Sequence, residues 1–322
     1  MTIRRSTVPR SAALLNCAEQ AGDAGYCGGR YNGLTSSLGS LIGVCILAMR
    51  CETVKRKANQ TEQILLRIGS IAVCIQGANA AFAASVRERY RPFLASSAEP
   101  DITLEIDLQS TLARSADEDL EVRQESGRWL LTRGDLEAVF DATTGRGVVR
   151  QTANPFSIDT VLRVICSLTL AEREGFLLHA ASAVRGGRAF VFVGKSGTGK
   201  TTMMRLKPSD AIALTDEVSF VQRNGSGYVA YGTPFYGELA RPGEPCKAPL
   251  EAIYFLEHST EIQSLRLTSA EAAGGLLENM LFFAKNAELA RGVFTETCRL
   301  AERVPAFRLQ FTLDQRVWEL IR

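Results

Sequence analysis

The chain has 322 residues, 46% of them hydrophobic and 22% charged, with a net charge of +2 and eight cysteines. That length allows two domains, each able to bury its own core, and the composition excludes a disordered, collagenous or disulfide-stapled chain. The charge is uneven: residues 1–61 carry eight Lys/Arg against three Asp/Glu, so the remainder is net −3. A body of that sign argues against a nucleic-acid partner held through bulk charge.

No C-x-x-C spacing occurs among Cys17, Cys27, Cys45, Cys51, Cys74, Cys166, Cys246 and Cys298. Reduced, buried thiols of a cytoplasmic protein are expected. Only two histidines are present, which excludes a His-rich metal site.

Residues 1–61 show no clear periodicity and are rich in Gly, Ser and Cys. They read as a disordered or spurious N-terminal extension, with Met49 as an alternative start. The apolar run Leu38 to Met49 is shorter than the roughly 18–20 residues of a membrane span. It starts too late for a signal-peptide core and is followed by Arg50. No membrane association is expected.

From Glu62 the pattern changes. Two strands, 64–68 and 71–75, are predicted around a turn at Gly69-Ser70. A helix follows from Ala80 to Tyr90, with Phe82, Val86 and Tyr90 on one face and Pro92 after its end. The strict alternation of Asp101 to Leu108 marks a half-buried strand. Two more strands are predicted over 128–132 and 136–140, then a Thr/Gly turn from Asp141 to Gly147. Residues 62–153 thus read as a small α+β domain without a catalytic cluster.

Asn154-Pro155 marks the boundary to a second domain, 154–322. Ser157 is the expected cap of a helix carrying Ile158, Val161, Ile165 and Leu168. A hairpin follows, 176–184 and 188–193, turning at Arg185-Gly186-Gly187. Downstream come strands at 211–215, 219–222, 228–231 and 253–256. A capping box at Thr268-Ser269-Ala270-Glu271 opens a helix to about Phe283. A helix over 287–303 and a strand over 307–311 complete the chain.

Between the hairpin and the next helix lies Gly194-Lys195-Ser196-Gly197-Thr198-Gly199-Lys200-Thr201, a complete G-x-x-x-x-G-K-T loop followed by Thr202. A strand enters it and a helix leaves it, the context that a phosphate-binding loop needs. Its glycines let successive N–H groups turn inward toward phosphate oxygens. Lys200, expected exposed in the loop, would reach the β- and γ-phosphates, and the Thr201 hydroxyl would hold Mg²⁺. ATP and Mg²⁺ are therefore the expected ligands. The antiparallel hairpin just upstream sets this loop apart from most P-loop enzymes.

The magnesium needs an acidic partner at a strand end. Asp216-Glu217, fifteen residues beyond Thr201, meets that need. His179 sits in an apolar strand that pairs with the one entering the loop, so it is either a core histidine or a site residue. Gly232-Thr233-Pro234-Phe235-Tyr236-Gly237-Glu238 is either a shaped substrate loop or an ordinary hairpin exit. Arg241 could pair with a phosphate or with Glu238. No N-K-x-D, LSGGQ-like, H-R-D or D-F-G motif is present, which disfavours GTPases, ABC ATPases and eukaryotic-type protein kinases.

Taken together, FLLHAASAV, VGKSGTGKTT and ALTDEVSF resemble the catalytic domain of HPr kinase/phosphorylase over roughly residues 160–260. The resemblance implies an α/β P-loop kinase domain of the HPr kinase C-terminal, phosphoenolpyruvate carboxykinase-like type, preceded by the small α+β domain. It implies that Lys200 and Thr201 bind ATP–Mg²⁺. It also implies that Asp216 is the base on a serine hydroxyl, that His179 assists it, and that Glu217 helps to bind the metal. The family's usual Asp-Asp pair is Asp216-Glu217 here, and the glycine-rich signature of the phosphorylase reaction is not evident. The GTPFYGE segment looks instead like a motif of HPr-kinase-related proteins encoded with peptide-modification clusters. The expected function is an ATP-dependent serine kinase acting on a protein or peptide acceptor. A non-catalytic or ATPase-only nucleotide-binding regulator, or a small-molecule kinase, is the alternative, and homo-oligomerisation is left open.

Overall fold

The computed structural model describes residues 62–110 and 119–322. The expectations for residues 1–61, including Met49 and the four cysteines there, lie outside the described residues. The fold is mixed α/β, with a seven-stranded and an eight-stranded sheet. Among the described residues no helix is long and apolar enough to cross a membrane.

The first sheet is built from β1 (Ile64–Ile68), β2 (Ile71–Gln76), β3 (Ile102–Leu108), β4 (Glu121–Glu125), β5 (Arg128–Arg133), β6 (Leu136–Asp141) and β7 (Arg146–Gln151). Its order is β1-β2-β3-β7-β6-β5-β4. Helix α1 (Ala80–Arg89) crosses between the parallel strands β2 and β3, and the Asn79 side chain caps it by accepting the Phe82 N–H. Strands β4 and β7 were not expected. Both are poor in apolar residues; β4, EVRQE, buries only Val122 and lies at the sheet edge.

Helix α2 (Pro155–Glu172) joins the two sheets. Asn154 caps it, not Ser157, because Pro155 takes the first helical position, where its missing N–H costs nothing. Ser157 is buried inside the first turn and its hydroxyl donates to Asp135.

The second sheet holds β8 (Gly175–Arg185), β9 (Arg188–Val193), β10 (Ala211–Thr215), β11 (Val218–Asn224), β12 (Gly227–Tyr231), β13 (Lys247–His258), β14 (Gln263–Arg266) and β15 (Ala306–Phe311). Three helices accompany it: α3 (Lys200–Arg205), α4 (Ser269–Glu278) and α5 (Ala287–Arg303). The expected capping box at Thr268 and Glu271 is present, but α4 stops at Asn279 instead of about Phe283.

Strand β8 organises the site. One edge pairs with β9, in register Ala180↔Val193. The other pairs first with β10, Thr215↔Ser182, and then with β11, Val218↔His179. The register with β8 is the same on both sides of Asp216-Glu217. One edge of β8 is therefore followed by β10, which shifts register between Ala213 and Thr215, and, beyond the two acids, by β11. Beyond β9, strands β13 and β15 run parallel to it.

The hydrophobic core does not stop at Asn154-Pro155. One cluster joins Ile64, Val86 and Leu104 to Ile158, Val161, Leu177, Phe220 and Phe235. All described residues fall in one compact unit.

Candidate nucleotide and acid-pair site

The loop Gly194–Thr201 leaves β9 directly opposite Ala180 and enters α3. Gly197 and Gly199 have φ of 84° and 100°, a left-handed backbone that favours glycine. Among the described residues, the N–H groups of Ser196, Gly197, Gly199, Lys200 and Thr201 find no acceptor. A Cβ placed on Gly197 would meet nothing within 4 Å, so the cradle is open there. Lys195 and Ser196 are exposed at its rim, and Lys195 lies 3.4 Å from Glu278. Thr198 stiffens the turn through its hydroxyl to the Lys195 carbonyl, 2.8 Å. Gly194 is buried, and Thr201 and Thr202 are half-buried.

Lys200 is buried, not exposed as expected. Its ammonium folds back on the loop and donates to the carbonyls of Gly194 (2.8 Å) and Lys195 (3.1 Å). Burial lowers its pKa to about 8, against the opposing pull of Glu217, Glu238 and Asp216. Those three influences place the lysine within the field of the acid pair.

Asp216 is buried, and its two carboxylate oxygens accept the N–H groups of Gly237 (3.0 Å) and Leu239 (2.9 Å). Glu217 is half-buried and pairs with Arg163 of α2 at 2.8 Å. The Thr215 hydroxyl closes the strand break, accepting the N–H groups of Glu217 and Val218 and donating to the Phe235 carbonyl.

The Gly232–Glu238 segment wraps this break. Residues 232–235 are buried, and Thr233 is tied to the Leu214 and Val218 carbonyls and to the Gly243 N–H. Its role as seen is to hold Asp216. Glu238 and Arg241 are exposed, and no ion pair forms between them.

His179 shares a face of β8 with Leu177 and Ala181, between two hydrophobic clusters. Its ring is only partly covered. Burial, then the charges of Lys200 and Arg163, lower its pKa to about 4. The imidazole is thus neutral at physiological pH. No hydrogen bond joins it to Asp216 among the described residues.

Three residues of this neighbourhood were missed in the sequence. Arg163 sits on an apolar helix, and its guanidinium lies 5.2 Å from the Phe235 ring centroid. Arg89 of α1 lies between the rings of Phe156 and Tyr236, pairs with Asp159 and donates to the Tyr236 hydroxyl. His258 bonds the loop itself, with Nε2 2.9 Å from the Gly197 carbonyl oxygen. Nothing in linear spacing points to these; each depends on which elements meet.

The site thus brings together unpaired loop N–H groups and a buried lysine that feels the charges of Asp216 and Glu217. A family model described as "ScmC: SynChlorMet cassette protein ScmC" matches residues 148–322, more than half of the chain. No curated protein matches.

Proposed function

The chain belongs to the SynChlorMet cassette protein ScmC family, and we propose that it is an ATP-dependent phosphotransferase of the HPr-kinase-like kind, acting on a hydroxyl of a protein or peptide. The observation that carries this reading is a loop whose N–H groups are unpaired and whose Lys200 feels the charges of Asp216 and Glu217. Phosphoryl transfer is mostly positioning and charge neutralisation, and such an arrangement supplies both.

In this reading the Gly194–Thr201 amides and Lys200 hold the β- and γ-phosphates of ATP. Lys200 has only to exchange the two loop carbonyls for phosphate oxygens. Magnesium usually binds through one or two carboxylates together with phosphates, and Thr201, Asp216 and Glu217 are the side chains that would hold it. The ion would neutralise charge between the phosphates. The acceptor hydroxyl oxygen bonds to the γ-phosphorus, the bond to the β-phosphate oxygen breaks, and ADP leaves. The proton passes to Asp216. Neutral His179 lies near enough to the lysine to shape this pocket without adding charge to it.

One observation favours a second reading, a nucleotide-binding regulator without transfer. Both Asp216 oxygens already accept backbone N–H groups, so the carboxylate is engaged in holding the Gly237–Leu239 backbone. Incubation with γ-labelled ATP and candidate acceptors decides between them. Asp216→Asn is the companion variant. Under the kinase reading, ATP affinity stays within a few-fold while transfer falls by about 10² to 10⁴. If no acceptor is labelled and the variant binds ATP as wild type does, the regulator reading stands. An asparagine can accept only one of the two N–H groups, so melting temperature is recorded alongside.

A further inference from the structure

Strand β13 runs parallel to β9 and β15, in register Phe255↔Val193 and His258↔Phe311. All three therefore end on the side where the Gly194–Thr201 loop begins. The C-terminal ends of parallel strands are where α/β sheets take their ligands.

His258 stands at this end, exposed. Its Nε2 faces the Gly197 carbonyl at 2.9 Å. A carbonyl oxygen only accepts, so Nε2 carries the proton and donates. The imidazole stacks on Phe311, with centroids 5.6 Å apart and planes inclined by 28°. Phe311 is fully buried. One face of the imidazole is thus covered by Phe311, while the residue as a whole is exposed. Gly199 permits the arrangement, since a Cβ there would lie 2.6 Å from Phe311 Cζ and 3.3 Å from His258 Cε1. Two residues beyond Phe311, Leu313 is 77% exposed, the highest value among the large hydrophobics of the described residues.

We propose that the outer face of His258 is the platform on which the purine base of the nucleotide stacks, with Leu313 as the apolar side of the same subsite. This rests on the nucleotide reading of the loop. The ring is held twice, by Phe311 behind it and by the Gly197 carbonyl at its edge, so it loses little freedom on binding. Stacking on a π face carries little information about the base edge. ATP and GTP should therefore bind with similar affinity.

The test is calorimetric titration of the full chain with Mg–ATP and with Mg–tripolyphosphate, which lacks the base. Wild type should bind ATP at least tenfold more tightly than tripolyphosphate. His258→Ala should lose about tenfold in ATP affinity, in the range of one base–aromatic stack, and leave tripolyphosphate unchanged. His258→Phe keeps a stacking ring but not the bond to Gly197, and should retain ATP affinity. Equal wild-type affinity for both ligands would overturn the subsite and leave the phosphate loop standing. So would variants that weaken both ligands alike, since His258 would then act only as a clip on the loop. If wild type binds neither ligand, the nucleotide reading falls and the subsite falls with it.

Discussion

Lys200 and His179 are held at protonation equilibria that differ from those of the unfolded chain, and both differences can be measured. Lys200 is lowered to about 8, chiefly by burial. Between about pH 8 and the ordinary lysine value of 10.5 the unfolded chain keeps a proton that the folded one has released. Stability from this group therefore rises with pH across that window. A bound polyanion favours the charged ammonium and reverses the shift. ATP binding near pH 9 should take up a proton at Lys200. Titrations in buffers of different ionisation enthalpy measure it, and Lys200→Met should abolish both the uptake and ATP binding. Retained wild-type affinity in Lys200→Met would remove the phosphate-loop assignment. His179 is lowered to about 4 from the ordinary histidine value of 6.5. Between those values the unfolded chain again binds more protons, so this group's contribution to stability is present above pH 6.5 and lost as pH falls toward 4. His179→Gln should flatten the melting temperature against pH over that interval. An unchanged slope would mean that the imidazole is not desolvated.

Among the elements, the junction of α1, α2 and the Gly232–Glu238 segment is the most heavily built. Arg89 and Asp159 are 9% and 8% exposed, and the fully buried Tyr90 hydroxyl also bonds Asp159. Truncating Arg89 leaves a buried carboxylate and a buried hydroxyl without their cation. Arg89→Ala should cost on the order of 3–5 kcal/mol, a melting-temperature drop of roughly 10 °C in a chain of this size. Arg89→Met with Asp159→Leu should recover most of it, because the uncompensated charge is gone. If the double variant is no better than the single one, the aromatic sandwich carries the stability and not the ion pair. The same junction shows what chain order could and could not announce. The hairpin β8–β9, the helices α1 and α5 and the capping box at Thr268 were legible, because each is set by local periodicity and capping chemistry. Strands β4, β7 and β14 were not. They are short and polar, and only pairing with neighbours makes them strands. The early end of α4 has a tertiary cause as well. The Asn279 carbonyl accepts the His179 N–H and the Leu281 N–H donates to Leu177, so the chain is drawn onto the edge of β8.

At the scale of the whole molecule, one core spans both sheets. Leu177, Phe220 and Phe235 pack in the same cluster as Ile64 and Leu104. Residues 62–322 should therefore unfold in one cooperative transition, and a fragment starting at Asn154 should expose that cluster and aggregate. Calorimetry of the chain, and circular dichroism with light scattering of the fragment, check this. Two resolved transitions, or a monomeric folded fragment, would show that the shared cluster contributes little. The sequence by itself determined the loop Gly194–Thr201, the acid pair and the order of most elements. A phosphate loop is a contiguous run whose glycines and lysine act through local backbone geometry, and strands and capped helices declare themselves within a few residues. Only the tertiary structure decided the rest. It buried Lys200 against its own loop and gave Asp216 to the amides of Gly237 and Leu239. It set Arg163 on Glu217 and brought His258 from the end of β13 to Gly197. Each of these contacts joins residues far apart in the chain or inverts an expected exposure. They are fixed by the register of β8, by the pairing of β13 with β9 and by the packing of α2, quantities that no spacing along the sequence records.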